Sequence, residues 1–358
     1  MRIIHIADFE YQTKSGIGEV VLRLKKEQTQ LGHCVYLFLI SKQLTPELNN
    51  NDLIVTNLAD FKNNISNILP DVVVFHSLYK FQYILYSRIL IKSNIPYLIQ
   101  PHGGTTIENA EKSKYKKLLA NLFLFNKFIS RSSAIIYLNE NEKEKSVFKN
   151  LKSNYIIIPN GVDIYKNLQD NRQNNTKLLN ILFLARIDIH HKGIDLLLQA
   201  LNYLDSKHLL DQFQISFYGY GDNKSIEYLN KKISMIASNV SYKGAIWGTE
   251  KIKAYLNSDI YILTSRYEGM PMSILEALSF GIPCIITNQT NMTNIIKEFN
   301  CGWITDDNYL SIANTILYAI KDLKENKTEY KINSLRAAKE FDWKEIAKLS
   351  INQYILVI

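Results

Sequence analysis

YILTSRYEGMPMSILEALSFGIPCII, residues 261–286, holds a strand, a loop, a helix and a second strand in one unbroken run. Tyr261 to Thr264 is a short apolar strand. Pro271 suits the first helical position, where a missing N–H is no loss and φ is already near the helical value. Gly281 stops the helix, and Pro283 two residues on is a second barrier. Two carboxylates bracket the helix start: Glu268 in the loop and Glu276 about a turn and a half into the helix. A helix rises roughly 1.5 Å per residue, so both can address one extended ligand lying across the helix N-terminus. The unsatisfied N–H groups there, with the positive end of the dipole, favour a phosphate. Gly269 lets backbone come close because it has no Cβ. Ionised carboxylates only accept hydrogen bonds, so their natural partners in such a site are sugar hydroxyls.

EGMPMSILEA followed by GIPCI resembles the E-x7-E signature of retaining, GT-B-fold glycosyltransferases of family 4, and the resemblance extends over nearly the whole chain. It implies an α/β fold of two Rossmann-like domains facing across a cleft. It also implies that Glu268 contacts the transferred sugar, that Glu276 takes the ribose diol, and that backbone N–H groups around Gly269 and Met270 hold the donor. Pro271 has no N–H to give.

At 358 residues and 46 % apolar composition, the chain suits two globular domains of ordinary size. The net charge of +8 points to anionic partners, among them nucleotides, lipid phosphates and nucleic acid. Basic residues are dispersed rather than interleaved with aromatics, which argues against nucleic acid. Cys34, Cys284 and Cys301 are an odd set with no C-x-x-C, as expected of a reducing cytoplasm. MRIIHIADFE is too short an apolar start for a signal peptide, and no apolar run approaches the length of a membrane span.

In the first half, Ile3–Ala7, a glycine loop around Gly16 and Gly18, a helix to Leu31 and a strand from Cys34 to Ile40 form a βαβ opening. A dinucleotide fingerprint needs a third glycine and an acidic residue after the second strand. Val21 and Ser41-Lys42 stand there instead, so the NAD expectation fails. What remains is a loop whose backbone can approach a phosphate or acceptor, and the resemblance implies that it lines the cleft. Strands over 71–75 and 96–100 follow, the second running into Pro101-His102-Gly103-Gly104. A histidine just past a strand's carboxyl end stands where open α/β sheets bind ligands. The resemblance implies that His102 orients the donor sugar near its anomeric carbon; His76 reads as structural. KSKYKKLLANLFLFNKFISR, residues 112–131, is helical in spacing, basic and aromatic, which suits a helix lying on an anionic membrane surface, while Phe123 and Phe128 equally suit a core.

After the Asn160-Gly161 turn, a polar stretch over 166–177 reads as a linker between domains at 1–165 and 178–340. A new apolar strand over 178–185 leads to Arg186 and then to Lys192-Gly193 ahead of an amphipathic helix. Arg by its fork and Lys as a point charge can together neutralise a diphosphate. The resemblance implies that task for both, with effects on turnover as leaving-group charge develops. Gly219, in the turn Gly219-Tyr220-Gly221-Asp222, borders the nucleotide by the same resemblance. His190-His191 lack a carboxylate at useful spacing and no D-x-D occurs, so the expected site holds no metal. Asp342 and Glu345 form a capping-box pattern for a final helix at 341–358, which the resemblance implies crosses back to the first domain.

The expected activity is therefore metal-independent, retaining transfer of a hexosyl group from a nucleoside diphosphate sugar, with UDP the favoured base, to a sugar or lipid-linked glycan. A sugar-nucleotide epimerase or hydrolase on the same fold, or a non-catalytic basic membrane- or nucleic-acid-binding protein, are the alternatives.

Overall fold

Strand runs such as VVVFH and CIIT are buried along their whole length, which parallel sheets covered by helices on both faces require. The computed structural model describes residues 1–9, 16–40, 51–104, 125–150, 154–165, 178–236 and 238–358. These residues form two compact units, one of residues 1–161 with 343–358 and one of residues 162–342.

The first unit runs β1 (Arg2–Ala7), α1 (Gly16–Gln30), β2 (Cys34–Leu39), β3 (Asp52–Ile54), α2 (Leu58–Ile68), β4 (Val72–His76), α3 (Phe81–Lys92), β5 (Tyr97–Gln100), α4 (Asn126–Ser130), β6 (Ala134–Tyr137), α5 (Glu140–Lys145) and β7 (Asn154–Ile157). Its parallel sheet has the order β3-β2-β1-β4-β5-β6-β7, which reverses direction between β1 and β4. Alternation splits the core: Ile4, Ile6, Val73 and Phe75 pack on one face, Ala7, Leu37 and Leu39 with Val21 of α1 on the other.

The second unit runs β8 (Leu179–Leu184), α6 (Ile194–Ser206), β9 (Phe213–Tyr218), α7 (Asn223–Ile233), β10 (Val240–Tyr242), α8 (Gly248–Leu256), β11 (Ile260–Leu263), α9 (Met272–Ser279), β12 (Cys284–Thr287), α10 (Thr293–Phe299), β13 (Gly302–Thr305) and α11 (Tyr309–Lys339). Here the parallel order is β10-β9-β8-β11-β12-β13, reversing between β8 and β11. The chain then re-enters the first unit as α12 (Trp343–Val357), which packs on α1. Trp343 lies so close to Gly161 that a Cβ there would stand 2.4 Å from its ring, which is why the Asn160-Gly161 turn takes glycine.

Two local expectations need correction. Gly16 and Gly18 are not in a loop but in the first turn of α1, Gly16 exposed and Gly18 buried. Pro271 caps α9 rather than opening it: with φ −67° and ψ 121° it is extended, and the helix starts at Met272. Residues 112–124 of the basic stretch lie outside the described residues, as does the linker at 166–177. Of the remainder, Phe125, Phe128 and Ile129 are core, with Phe128 stacked on Tyr97 at 5.4 Å. Among the described residues no helix is long and apolar enough to cross a membrane.

Candidate active site

In an open α/β sheet, ligands bind past the carboxyl ends of the strands where the order reverses. In the second unit that point is flanked by the loops following β8 and β11, residues 185–193 and 264–271, and these carry Arg186, Lys192 and Glu268. The two loops are sewn together. Arg266 forks onto Asp195 with two 2.7 Å bonds and reaches the His190 carbonyl at 2.7 Å. The Thr264 hydroxyl donates to the Lys192 and Gly193 carbonyls, and the Arg266 N–H to that of His191.

This stitching puts Lys192 Nζ 2.5 Å from Glu268 Oε1, with both side chains nearly buried at 13 % and 11 % exposure. The Ser265 hydroxyl donates to the same oxygen at 2.6 Å, and His191 Nε2 stands 3.9 Å from it. Burial alone would raise the Glu268 carboxyl, but the Lys192 ammonium and His191 more than offset it and hold the group below the ordinary value. Glu268 is an ionised acceptor and Lys192 its counter-ion, so the cation expected on the diphosphate and the acid expected on the sugar form one unit. His191 is fixed by stacking on Tyr267 at 4.1 Å and by its Nε2 on the Tyr267 carbonyl at 2.9 Å. Arg186, 48 % exposed, hydrogen-bonds Asp188 at 3.0 Å and His191 at 3.3 Å, which presents its guanidinium beside the pair.

Gly219 makes the approach to Arg186 possible. It holds φ +152°, and a Cβ there would lie 1.8 Å from the Ala185 carbonyl oxygen. Glu276, in the second turn of α9, has both oxygens engaged, Oε1 by Lys251 at 2.5 Å and Oε2 by the Tyr255 hydroxyl at 2.8 Å. Each carboxylate oxygen keeps a second lone pair, so a ribose diol can be accepted at Glu276 beside these two donors. Gly269 and Met270 carry the chain from Glu268 to the N-terminus of α9, with the Glu268 carbonyl accepting from Asn291 at 2.6 Å. Among the described residues no group of three or more His, Cys, Asp or Glu is arranged to hold a metal ion.

In the first unit His102 follows β5 in a left-handed turn, φ +52°, with Gly103 at φ +77°. The turn is held by Glu142 of α5, which is fully buried and accepts from the Gly103 N–H at 2.6 Å and the Leu138 N–H at 2.7 Å. Burial pushes the Glu142 carboxyl up to about 7, outweighing the two N–H bonds that favour the ionised form. The folded chain therefore holds this proton more tightly than the unfolded one. Its contribution to stability is complete below about 4.5, falls as pH climbs to about 7, and levels off above. At about 1.4 kcal/mol per unit the fall amounts to about 3 kcal/mol. Glu142→Gln cannot titrate there, so the difference in unfolding free energy between wild type and variant is expected to slope only in that window. Urea unfolding across the range checks it; a constant difference contradicts the tight proton.

The sequence did not point to Asp188, His191, Arg266, Lys251, Tyr255 or Glu142. All but Asp188, which binds Arg186 and His191 within its own loop, act through a partner distant in the chain, and Glu142 sits in ENEKEK, which reads as a solvated charge run.

Two family models match the chain, Glycosyltransferase Family 4 over residues 14–166 and Glycosyl transferases group 1 over residues 164–334. An uncharacterized glycosyltransferase of Methanocaldococcus jannaschii is 28 % identical over 178 residues, 49 % of this chain and 44 % of the relative. The UDP-Gal:alpha-D-GlcNAc-diphosphoundecaprenol alpha-1,3-galactosyltransferase of Escherichia coli is 23 % identical over 248 residues, 65 % of this chain and 62 % of the relative. The chain thus matches less than two thirds of the length of either. Among solved structures, Anabaena HepE in complex with UDP aligns over 99 % of both chains with a TM-score of 0.77 at 16 % identity, a likeness of fold. Two parallel Rossmann-like units with such neighbours are the GT-B fold, and with the two models together spanning residues 14–334 the chain belongs to the glycosyl transferases group 1, with a Glycosyltransferase Family 4 first half.

Proposed function

We propose that this chain moves a hexosyl group from a UDP-sugar to a sugar or lipid-linked glycan acceptor, with retention and without a metal, in the synthesis of a surface glycan. The observation that carries this reading is the nearly buried Lys192–Glu268 pair with Arg186 beside it at the β8/β11 reversal. Such a place suits an anion flanked by hydroxyls: cations for the diphosphate, a carboxylate for the sugar, and the α9 N-terminus for a phosphate oxygen. Lys192 exchanges part of its contact with Glu268 for the diphosphate, which leaves Glu268 oxygens for sugar hydroxyls. Glu276 takes the ribose on its remaining lone pairs, with Lys251 and Tyr255 holding the carboxylate in place. His102 orients the donor sugar, and backbone at Gly16, Gly18, Gly219, Gly269 and Met270 approaches the ligands.

In the step itself the bond from the anomeric carbon to the diphosphate oxygen breaks as the bond to the acceptor oxygen forms on the same face. The acceptor's proton passes to the departing phosphate oxygen. Charge growing on that phosphate is met by Lys192 and Arg186, a role that needs no divalent ion. The galactosyltransferase relative is named for a UDP-sugar donor and a diphosphoundecaprenol-linked acceptor, and the HepE structure holds UDP, which supports the base and acceptor class. A lipid-linked acceptor places the protein at the cytoplasmic face of a membrane, bound peripherally.

The test is a thermal-shift screen of UDP-, GDP- and ADP-sugars with and without EDTA, since a specific ligand stabilises the native state. A UDP-sugar is expected to raise the melting temperature equally in both. Absence of any shift with every nucleotide sugar refutes the donor, and loss of the shift in EDTA refutes metal independence. The anomeric configuration of the product, read by NMR, decides retention.

A further inference from the structure

His102 does not stand alone. Its Nε2 lies 2.9 Å from Nδ1 of His76 on β4, whose Nε2 lies 2.8 Å from Nδ1 of His5 on β1. His5 Nε2 is 2.8 Å from Gln28 Oε1 on α1, and Gln28 Nε2 is 2.9 Å from the Ser350 hydroxyl on α12. His5, Gln28, His76 and Ser350 are fully buried, and the buried Tyr354 hydroxyl sits against Gln28 and Ser350. One hydrogen-bonded line thus runs from the C-terminal helix through the sheet to the turn after β5.

The line has a direction. The Ser350 hydroxyl donates its single proton to the Ala347 carbonyl at 2.6 Å, so its oxygen accepts from the Gln28 amide nitrogen. That turns Gln28 Oε1 toward His5, and an oxygen there requires a proton on His5 Nε2. A neutral imidazole protonated at one nitrogen accepts at the other. His5 Nδ1 therefore accepts from His76 Nε2–H, and His76 Nδ1 accepts from His102 Nε2–H. Burial keeps all three rings neutral: it lowers His5 to about 4 and His102 to about 3, and takes His76 well below its ordinary value, with the neighbouring rings adding to the effect at His76. At the end of the line, His102 Nδ1 carries a lone pair.

We propose that His76, His5 and Gln28 are positioning residues that hold His102 as its Nε2–H tautomer, so that Nδ1 meets the ligand as a hydrogen-bond acceptor. The proposal rests on the assignment of His102 to the donor sugar. It adds that His102 takes a sugar hydroxyl as acceptor, at Nδ1, and cannot serve as the proton donor in the reaction. A donor whose recognised hydroxyl is replaced by hydrogen or fluorine loses this contact.

The tautomer is directly measurable in the full-length protein. With 15N-labelled histidine, long-range 15N–1H spectra distinguish bare from protonated ring nitrogens, and comparison with His102→Ala assigns the ring. The expected spectrum shows His102, His76 and His5 all bare at Nδ1 and protonated at Nε2 at neutral pH. A protonated Nδ1 on His102 in the wild-type spectrum overturns the proposal. Ser350→Ala frees the Gln28 amide to turn over, and Gln28→Leu removes it. In either, a second His102 tautomer is expected, with kcat lowered about tenfold. An unchanged His102 spectrum in both variants also overturns it. Spectra that change while turnover stands, or a His102→Ala enzyme with near-normal turnover, leave tautomer control intact and overturn instead the placement of His102 on the donor sugar.

Discussion

Lys192→Ala is expected to lower kcat by about 10²- to 10³-fold, the usual loss on removing one group that stabilises developing charge. The ammonium is held on Glu268 by geometry the fold imposes, so its position is fixed before any ligand arrives. A charge set in advance needs no reorganisation when the leaving diphosphate becomes more anionic, and so acts on turnover as well as on binding. The same change strips Glu268, 11 % exposed, of its main counter-ion. Breaking a buried pair from one side costs about 3–5 kcal/mol, because it leaves a charge with too few partners. A fall in activity could then report only a damaged fold. The double variant Lys192→Ala/Glu268→Gln separates the two effects, since it leaves no orphan charge: its melting temperature is expected to recover most of the loss while kcat does not recover. Steady-state kinetics and thermal unfolding on the three proteins decide it. Turnover of Lys192→Ala within about threefold of wild type removes Lys192 from the chemistry.

How far the chain could be read ahead follows from the range of the interactions involved. Parallel strands such as VVVFH announce themselves because both faces are buried, and Gly281 ends α9 with φ +73° as a glycine after a helix does. Lys192 and Glu268 each stood out locally, but seventy-odd residues separate them, and no pattern within either loop says they touch. That contact comes from the strand order, which places β8 beside β11 and so brings their following loops together. The same holds for Lys251 on Glu276, Arg266 on Asp195, and the His5–His76 contact made by pairing of β1 with β4. Gly16 and Gly18 misled for the opposite reason, a local glycine pattern read as a loop where helix hydrogen bonding prevails.

Gly193→Ala is expected to damage both the stability of the second unit and its site. Gly193 has φ +61° and caps α6 directly after Lys192. A Cβ built there would stand 1.9 Å from the Thr264 carbonyl oxygen and 2.9 Å from its carbon. A left-handed alanine alone costs about 1–2 kcal/mol. The clash is with backbone rather than with a flexible side-chain tip, and the Thr264 hydroxyl ties that same strand end to the carbonyls of Lys192 and Gly193. The β8 and β11 loops must therefore part, at a total of about 4 kcal/mol or more, within the exceptional range for one substitution. For a unit of this size that lowers its thermal transition by about 10 °C. Parting the loops also draws Lys192 away from Glu268, so turnover is expected to fall even well below the new transition. Gly16→Ala is the matched control. Nothing lies within 4 Å of a Cβ at that position, it is exposed in the first turn of α1, and alanine favours a helix over glycine by up to about 1 kcal/mol. Its stability is expected to hold or rise slightly, so any loss of turnover there isolates a ligand role for that backbone. A Gly193→Ala protein within about 1 kcal/mol of wild type in calorimetry means that the two loops are not locked together at this point, and with that the preset geometry of Lys192 fails.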